Sequence, residues 1–318
     1  SAIVQGIHFG ALMGYATGTV LVENVVTNVD IAGDRSGVTG DGGMIGRLEG
    51  PVTFNNCGTR GSMGNKGTSM YCGFVAYAGN GSSVLNNCYT SCSLTEGTAT
   101  DYCYTFCRGT LQLNNCYYLN AIGEVQGKPF TEDQFASGEL CFELNGNQKV
   151  ITWTQELGTD PVPIPNVLGP QVYAVGTVRC DGAELPDNPI IFSNTKGEIT
   201  KPDHQYGEDG FCTVCGSVIQ DEDGCYLIGN VEQFSWLVNK VSEGGTDSNV
   251  LLTADIDLTE AGNLMIGTEA NEYAGIFDGQ GHTITYNYEV KDKWRGLFAF
   301  VNGATIRNLQ VEGSAYVT

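Results

Sequence analysis

Val52-Thr-Phe-Asn-Asn-Cys57, Val84-Leu-Asn-Asn-Cys88 and Leu111-Gln-Leu-Asn-Asn-Cys116 are three copies of one phrase. Each follows a short apolar run: Gly43-Met-Ile-Gly46, Gly73-Phe-Val-Ala-Tyr77 and Tyr104-Thr-Phe106. Looser copies stand at Thr19-Val-Leu-Val-Glu-Asn-Val25 and Ala304-Thr-Ile-Arg-Asn-Leu-Gln-Val311. Aligning the asparagines gives Asn24, Asn56, Asn87 and Asn115, spaced 32, 31 and 28 residues apart, with Asn308 as a fifth. A period of this size marks a solenoid, whose single unit cannot bury its apolar face alone.

Strand chemistry selects the kind of solenoid. The units are short alternating runs rich in β-branched and aromatic residues, with glycines between them. None holds a helical stripe long enough for a helical repeat. The pattern predicts an all-β, right-handed parallel β-helix with one coil per unit. The asparagines would then stack one strand spacing apart, each amide hydrogen-bonding its copies above and below. Cys57, Cys88 and Cys116 share their position with Val25 and Leu309, so they read as core thiols rather than disulfides.

Composition bounds the function. The 318 residues carry 15 basic and 36 acidic side chains, a formal charge of −21. That balance disfavours nucleic acid and anionic membrane surfaces and is read as a solvated acidic surface. No apolar run of eighteen residues exists, so no membrane insertion is expected. There is neither a signal peptide nor an initiator Met, and the expectation is a processed piece of a longer precursor. Twelve cysteines fit an oxidising compartment only loosely.

Along the chain the texture changes three times. Residues 1–127 read as a β-helix closing segment. Residues 128–170 read as a capping helix and Pro-rich exit: Thr131 is an N-cap, Gly146 a stop, and Pro161, Pro163 and Pro165 follow. Such a helix would cover the open sheet end. Residues 171–228 read as a small linker domain with a C-x-x-C. Residues 229–318 read as a second capping helix, started by Asn230 with Val231, Phe234, Leu237, Val238 and Val241 on one face, and a β-helix opening segment.

Leu252-Thr-Ala-Asp-Ile-Asp-Leu258, Gly275-Ile-Phe-Asp-Gly-Gln-Gly-His-Thr-Ile284, Gly296-Leu-Phe298, Ala304 to Leu309 and the Asn-Asn-Cys coils resemble bacterial surface proteins with GLUG-type repeats, common in gut Firmicutes and Bacteroidetes. The Ser137–Asp160 stretch is similar to the segment that closes one such β-helix. The resemblance implies an adhesin-like or stalk-like protein, extracellular or at the bacterial cell surface. It is specific for fold and names no ligand. The closing half stands before the opening half, which is an unusual order.

That order suggests assembly. Reading Thr318 into Ser1 continues the repeat phrase, so the chain is expected to start and stop inside an array. A head-to-tail homopolymer would pair Phe9, Leu12, Val20 and Val22 of one subunit with Leu297, Phe298, Ile306, Leu309 and Val311 of the next. Tandem copies in one long polypeptide would make the same joint.

Sites of chemistry are few. Cys212-x-x-Cys215-Gly216 presents two thiols, which His204 and either Cys180 or Cys225 would complete to a structural zinc site. Disulfides among these cysteines are the competing reading. Asp255, Asp257 and Asp278 invite comparison with the paired acids of carbohydrate-active β-helix enzymes such as pectin lyases. They sit in repeat phrases where acids finish turns, so no enzyme is expected. His8 and His282 lack nucleophiles beside them. Tyr102, Tyr104, Tyr117 and Tyr118 would stack in the core or, in a carbohydrate-binding alternative, on host or cell-surface glycans.

Overall fold

The computed structural model describes residues 8–32, 39–64, 69–96, 98, 100–146, 148–291 and 295–317. The described residues are mostly stacked parallel β-strands with three short helices, and antiparallel pairs join Trp153–Thr154 to Ile164–Pro165 and Tyr173–Thr177 to Ile191–Ser193. The chain forms two compact units, one of residues 1–177 with 186–200, the other of residues 178–185 with 201–318. The stretch 171–228 is divided between them.

The first unit is a parallel solenoid. One column of strands holds His8–Gly10, Thr39–Gly42 and Ser69–Cys72; a second holds Met13–Ala16, Ile45–Leu48 and Val75–Ala78. The longest runs from Val20–Glu23 through Pro51–Asn55, Ser82–Thr90 and Thr110–Tyr118 to Lys128–Pro129. Register follows the repeated phrase: Leu85 lies over Phe54 and under Leu113, and Cys88 pairs with Cys116. Inside, Phe54 meets Phe74 edge to face at 5.2 Å between ring centroids, and Phe74 stacks on Phe106 at 5.6 Å. Each such fully buried side chain contributes roughly 1.5–3 kcal/mol.

The asparagine column is present, with a cause the spacing does not reveal. Asn24, Asn56, Asn87, Asn115 and Asn308 all hold φ between 53° and 57°. This left-handed conformation costs most L-residues roughly 1–2 kcal/mol, and asparagine tolerates it best after glycine. The turn it makes points the chain back across the coil. The amides pair in part, not in one unbroken ladder: Asn56 Nδ2 donates to Asn24 Oδ1 at 3.3 Å and Asn115 Nδ2 to Asn87 Oδ1 at 2.9 Å, while Asn56 Oδ1 is buried without a hydrogen-bond partner among the described residues. As whole residues they are half-buried or exposed rather than buried. The residues just before them form a second ladder, Asn114 to Asn86 to Asn55 to Glu23, at 2.8–2.9 Å.

All twelve cysteines are free thiols. Cys57, Cys88 and Cys116 lie in the core, and each sulfur donates to a carbonyl of the coil before, Val22, Phe54 and Leu85 respectively, at 3.4–3.7 Å. Of the singled-out tyrosines, Tyr117 and Tyr118 are buried, Tyr104 is half-buried and Tyr102 is exposed.

Helices α1 (Glu132–Ala136) and α2 (Glu139–Asn145) follow the coils. Thr131 and Gln134 form a reciprocal capping box on α1. These helices do not act as the expected lid alone. With Trp153 they pack on the flank of the solenoid, where Tyr89 and Tyr117 of successive coils join Phe135, Leu140 and Leu144 in one cluster. Trp153 Nε1 donates to the Asn87 carbonyl at 3.2 Å and Asn115 Nδ2 to the Glu143 carbonyl at 2.9 Å, so the flank also reads the asparagine turns. Gln126 closes backbone at the coil's end: its Oε1 accepts from the Phe106 and Cys107 amides and its Nε2 donates to the Cys107 carbonyl, all at 2.9 Å. One side chain thereby stands in for a missing strand.

The second unit repeats the parallel theme. Tyr226–Ile228, Val250–Leu252, Ile276–Asp278 and Thr305–Arg307 form one column; Ile256–Asp257, Thr283–Val290 and Gln310–Val317 form another. Helix α3 (Val231–Ser242) begins at Asn230, whose side chain accepts from the Gln233 amide. Its Phe234, Leu237 and Val241 share one core with Ile228, Val250, Leu252, Phe277 and Ile284. No helix among the described residues is long and apolar enough to cross a membrane.

Candidate functional site

A non-repetitive part of the second unit gathers four metal-binding side chains. The segment His204–Ser217 folds back on itself: Gly207 N donates to the Phe211 carbonyl, Thr213 N to Gln205 and Cys212 N to Ser217. Gly216, at φ 72°, turns the chain so that its amide reaches the Cys212 carbonyl at 2.8 Å. This knuckle sets Cys212 and Cys215 side by side. Cys180 arrives from a separate turn closed by Gly182 N on the Arg179 carbonyl, with Arg179 paired to Asp181 at 2.6 Å.

Cys180, His204, Cys212 and Cys215 place all four ligand atoms within 4.8 Å of one another. Cys180 Sγ lies 3.5 Å from Cys212 Sγ, and Cys215 Sγ 3.3 Å from His204 Nδ1. A disulfide needs sulfurs about 2.05 Å apart. Ligands around one tetrahedral zinc, with Zn–S near 2.3 Å, stand about 3.5–3.8 Å apart. The two closest pairs are too far apart for a disulfide and near the separation of neighbours in a ligand shell, and three sulfurs with one imidazole nitrogen are a donor set such a metal takes. The set could hold a metal ion. Cys225, the other fourth ligand considered from sequence, lies outside the cluster.

The electrostatics prepare one thiolate. Burial opposes ionisation of Cys212, but the amides of Cys215 and Val214 and the His204 ring outweigh it and bring the thiol down to about 5. Burial, then the neighbouring Cys212 and Cys215, push Cys180 up to about 11. A divalent cation would supply the charge needed to ionise the whole set. An open cleft of about 630 Å³ adjoins the cluster, lined in part by Tyr226, Trp236 and Lys240. Lys240 Nζ already lies 5.4 and 5.5 Å from the two ring centroids, so these aromatic surfaces have a partner.

A second feature is the outer edge of the second unit. Leu297, Phe298, Ile306, Leu309 and Val311 line one open mouth of about 450 Å³ together with Tyr286, Arg307 and Asn308. Leu297 is buried, Phe298 and Leu309 half-buried, and Ile306 and Val311 are 42% and 45% exposed. On the first coil Phe9 and Leu12 are exposed, Val20 is half-buried and Val22 is in the core. Among the described residues, no strand pairs with the outer edges of Val20–Glu23, Thr305–Arg307 or Gln310–Val317. The phrase joining Thr318 to Ser1 lies outside the described residues.

The acids weighed as catalytic are occupied with structural hydrogen bonds, Asp257 within a turn and Asp255 and Asp278 across to the next coil. Asp255 accepts from the Thr283 amide at 2.9 Å and lies 3.2 Å from His282 Nδ1. Asp257 accepts from the Thr259 amide. Asp278 is buried and accepts from Arg307 Nε, Asn308 Nδ2 and the Gln280 amide. His8 is half-buried, with its ring centroid 5.4 Å from that of Tyr77.

Comparison of the chain with protein-family models, curated proteins and solved structures gives no match.

Proposed function

We propose that this protein is a structural solenoid subunit that stacks head to tail into a filament or long stalk, extracellular or on a bacterial surface. The observation that carries the reading is the open mouth where Leu297, Phe298, Ile306, Leu309 and Val311 stand beside Arg307 and Asn308. An open coil end leaves both apolar side chains and strand donors wanting a partner, and both are costly in water. The first coil of another copy offers a matching edge with exposed Phe9 and Leu12. Such a contact joins two different surfaces, so it propagates as an open filament. The next repeat of a longer polypeptide would make the same joint. The reading is non-enzymatic, supported by the engagement of Asp255, Asp257 and Asp278 in structural hydrogen bonds within turns and between coils. Zinc at Cys180, His204, Cys212 and Cys215 has a structural part in it, pinning a segment too small for its own core.

The test is microscopy of the purified protein over a concentration series, with Leu297→Asp and Leu12→Asp as the broken joints. Filaments are expected from the parent protein, and at least about tenfold shorter particles from either variant. Monodisperse single particles from the parent at high concentration sink the reading.

A further inference from the structure

The coil at the outer edge of the second unit has the same local plan as an interior coil of the first. Asn308 and Asn56 share the left-handed turn, and five residues later both coils carry a glycine at positive φ, Gly313 at 133° and Gly61 at 104°. Neither glycine has room for a side chain: a Cβ on Gly61 would meet the Val29 carbonyl oxygen at 2.3 Å, and one on Gly313 the Tyr286 oxygen at 1.8 Å. The next residue is serine in each case, and each hydroxyl reaches the coil before, Ser62 to Asp30 at 2.7 Å and Ser314 to Asn287 at 2.6 Å. Two columns that never touch within the repeat phrase thus follow one coil geometry.

The ladders also have a direction. In the turn column of the first unit the later amide donates to the earlier oxygen, Asn56 to Asn24 and Asn115 to Asn87, and Asn308 likewise donates back to the coil before, to Asp278 one place off its own register. Backbone rungs run the other way, from Asn24 N to the Asn55 carbonyl and from Gly279 N to the Arg307 carbonyl. The outermost rung therefore offers Asn308 Oδ1 and the Asn308 amide, and the first coil offers Asn24 Nδ2 and the Glu23 carbonyl. These are complements.

We propose that the head-to-tail joint has a single register, in which Asn24 of a second copy stacks on Asn308 and Glu23 of that copy on Arg307. The inference rests on the assembly reading above and adds the partner surface in residue detail. Charge supports it independently. Arg307 holds Asp278 at 2.8 Å while its side chain remains 56% exposed, and Glu23 holds Asn55 at 2.9 Å. Stacking them gives a column Asp278, Arg307, Glu23, Asn55 in which opposite charges meet at the joint. A shift by one residue would turn the apolar faces outward, and a shift by two would set Glu23 against Thr305.

Paired cysteines read the register. In Glu23→Cys with Arg307→Cys the two Cα atoms would stand one strand spacing apart, about 4.8 Å and within disulfide reach. In the control, Glu23→Cys with Thr305→Cys, they would be about 8 Å apart and out of reach. After mild oxidation and a non-reducing gel, the first pair should give a ladder of covalent oligomers above the parent protein's baseline, and the control should not. Filaments seen by microscopy without that cross-link, or with the control cross-linked instead, overturn the register and leave assembly standing. Absence of filaments in the parent overturns both. Glu23→Arg, which sets two guanidinium groups in register, should raise the concentration needed for assembly about fivefold; an unchanged threshold counts against the Arg307 contact.

Discussion

Two groups of cysteines in one chain do opposite work. Cys57, Cys88 and Cys116 recur with the coil, sit in the core and spend their weak donors on carbonyls of the coil before. Cys180, Cys212 and Cys215 follow no period and converge with His204 from two separate turns. The first group is replaceable by Val25 or Leu309 at the equivalent place; the second has no equivalent anywhere in the repeat. Convergence is the discriminator: Cys141 on α2 follows no coil period and is still packed in an apolar cluster, whereas Cys180, Cys212 and Cys215 meet one another and a histidine within ligand reach.

The largest effect expected from this contrast is on metal removal. Elemental analysis should find about one zinc per chain. Chelation, or Cys215→Ser, should cost several kcal/mol locally, since structural zinc sites supply much of the folding energy of small segments. Hydrogen exchange would show it as lost protection over residues 178–185 and 204–228, with the first unit's coils unchanged. Stoichiometric disulfides with no metal would break the distinction drawn here. Next in size is the ladder. Cys88→Val should cost less than about 1.5 kcal/mol, whereas Cys88→Ser, whose smaller hydroxyl gives up packing in the core even with the Phe54 carbonyl nearby, should cost about 1–3 kcal/mol in denaturant unfolding. Asn87→Ala should cost roughly 1–2 kcal/mol through the left-handed backbone, and Asn87→Gly less. If serine were tolerated as well as valine, the position would not be a packing site.

The smallest effect concerns pH at the outer coil. The Asn308 amide, the Gln280 N–H and Arg307 together hold Asp278 below its ordinary 3.8, against burial that raises it. A carboxylate with a lower pKa folded than unfolded stabilises above the unfolded value. That stabilisation drains away as the pH falls through the folded one. Protection of the amides in residues 305–317 should therefore decline as the pH drops below 3.8, and Asp278→Asn should flatten that decline.

The solenoid could be read from sequence because its determinants repeat. Asn24, Asn56, Asn87 and Asn115 announce their own alignment, and Val, Leu and Cys at the following place announce an apolar core. The reason for asparagine could not be read so directly, since a left-handed backbone is a property of the turn and not of the spacing. Single-copy devices left no signal. Gln126 completing a coil's hydrogen bonds, and Trp153 holding the flank through the Asn87 carbonyl, depend on contacts across long stretches of chain. At the knuckle, Cys212 and Cys215 were visible as a pair and His204 as their neighbour. Cys180 and Cys225 were indistinguishable there, because which one arrives is decided by a turn 24 residues upstream of the histidine.

The coil step described above has a mechanical corollary. Neighbouring coils are joined by hydrogen bonds that lie along the solenoid axis, so a pull on a stacked column loads the rungs between coils rather than the backbone within them. Each rung spans about 4.8 Å of axis. The chain wound into one coil, such as the 31 residues from Asn55 to Asn86, would extend to about 100 Å if that coil let go. A column of this kind is stiff until a rung yields and then pays out roughly twenty times the length it surrendered, coil by coil, without severing its tether.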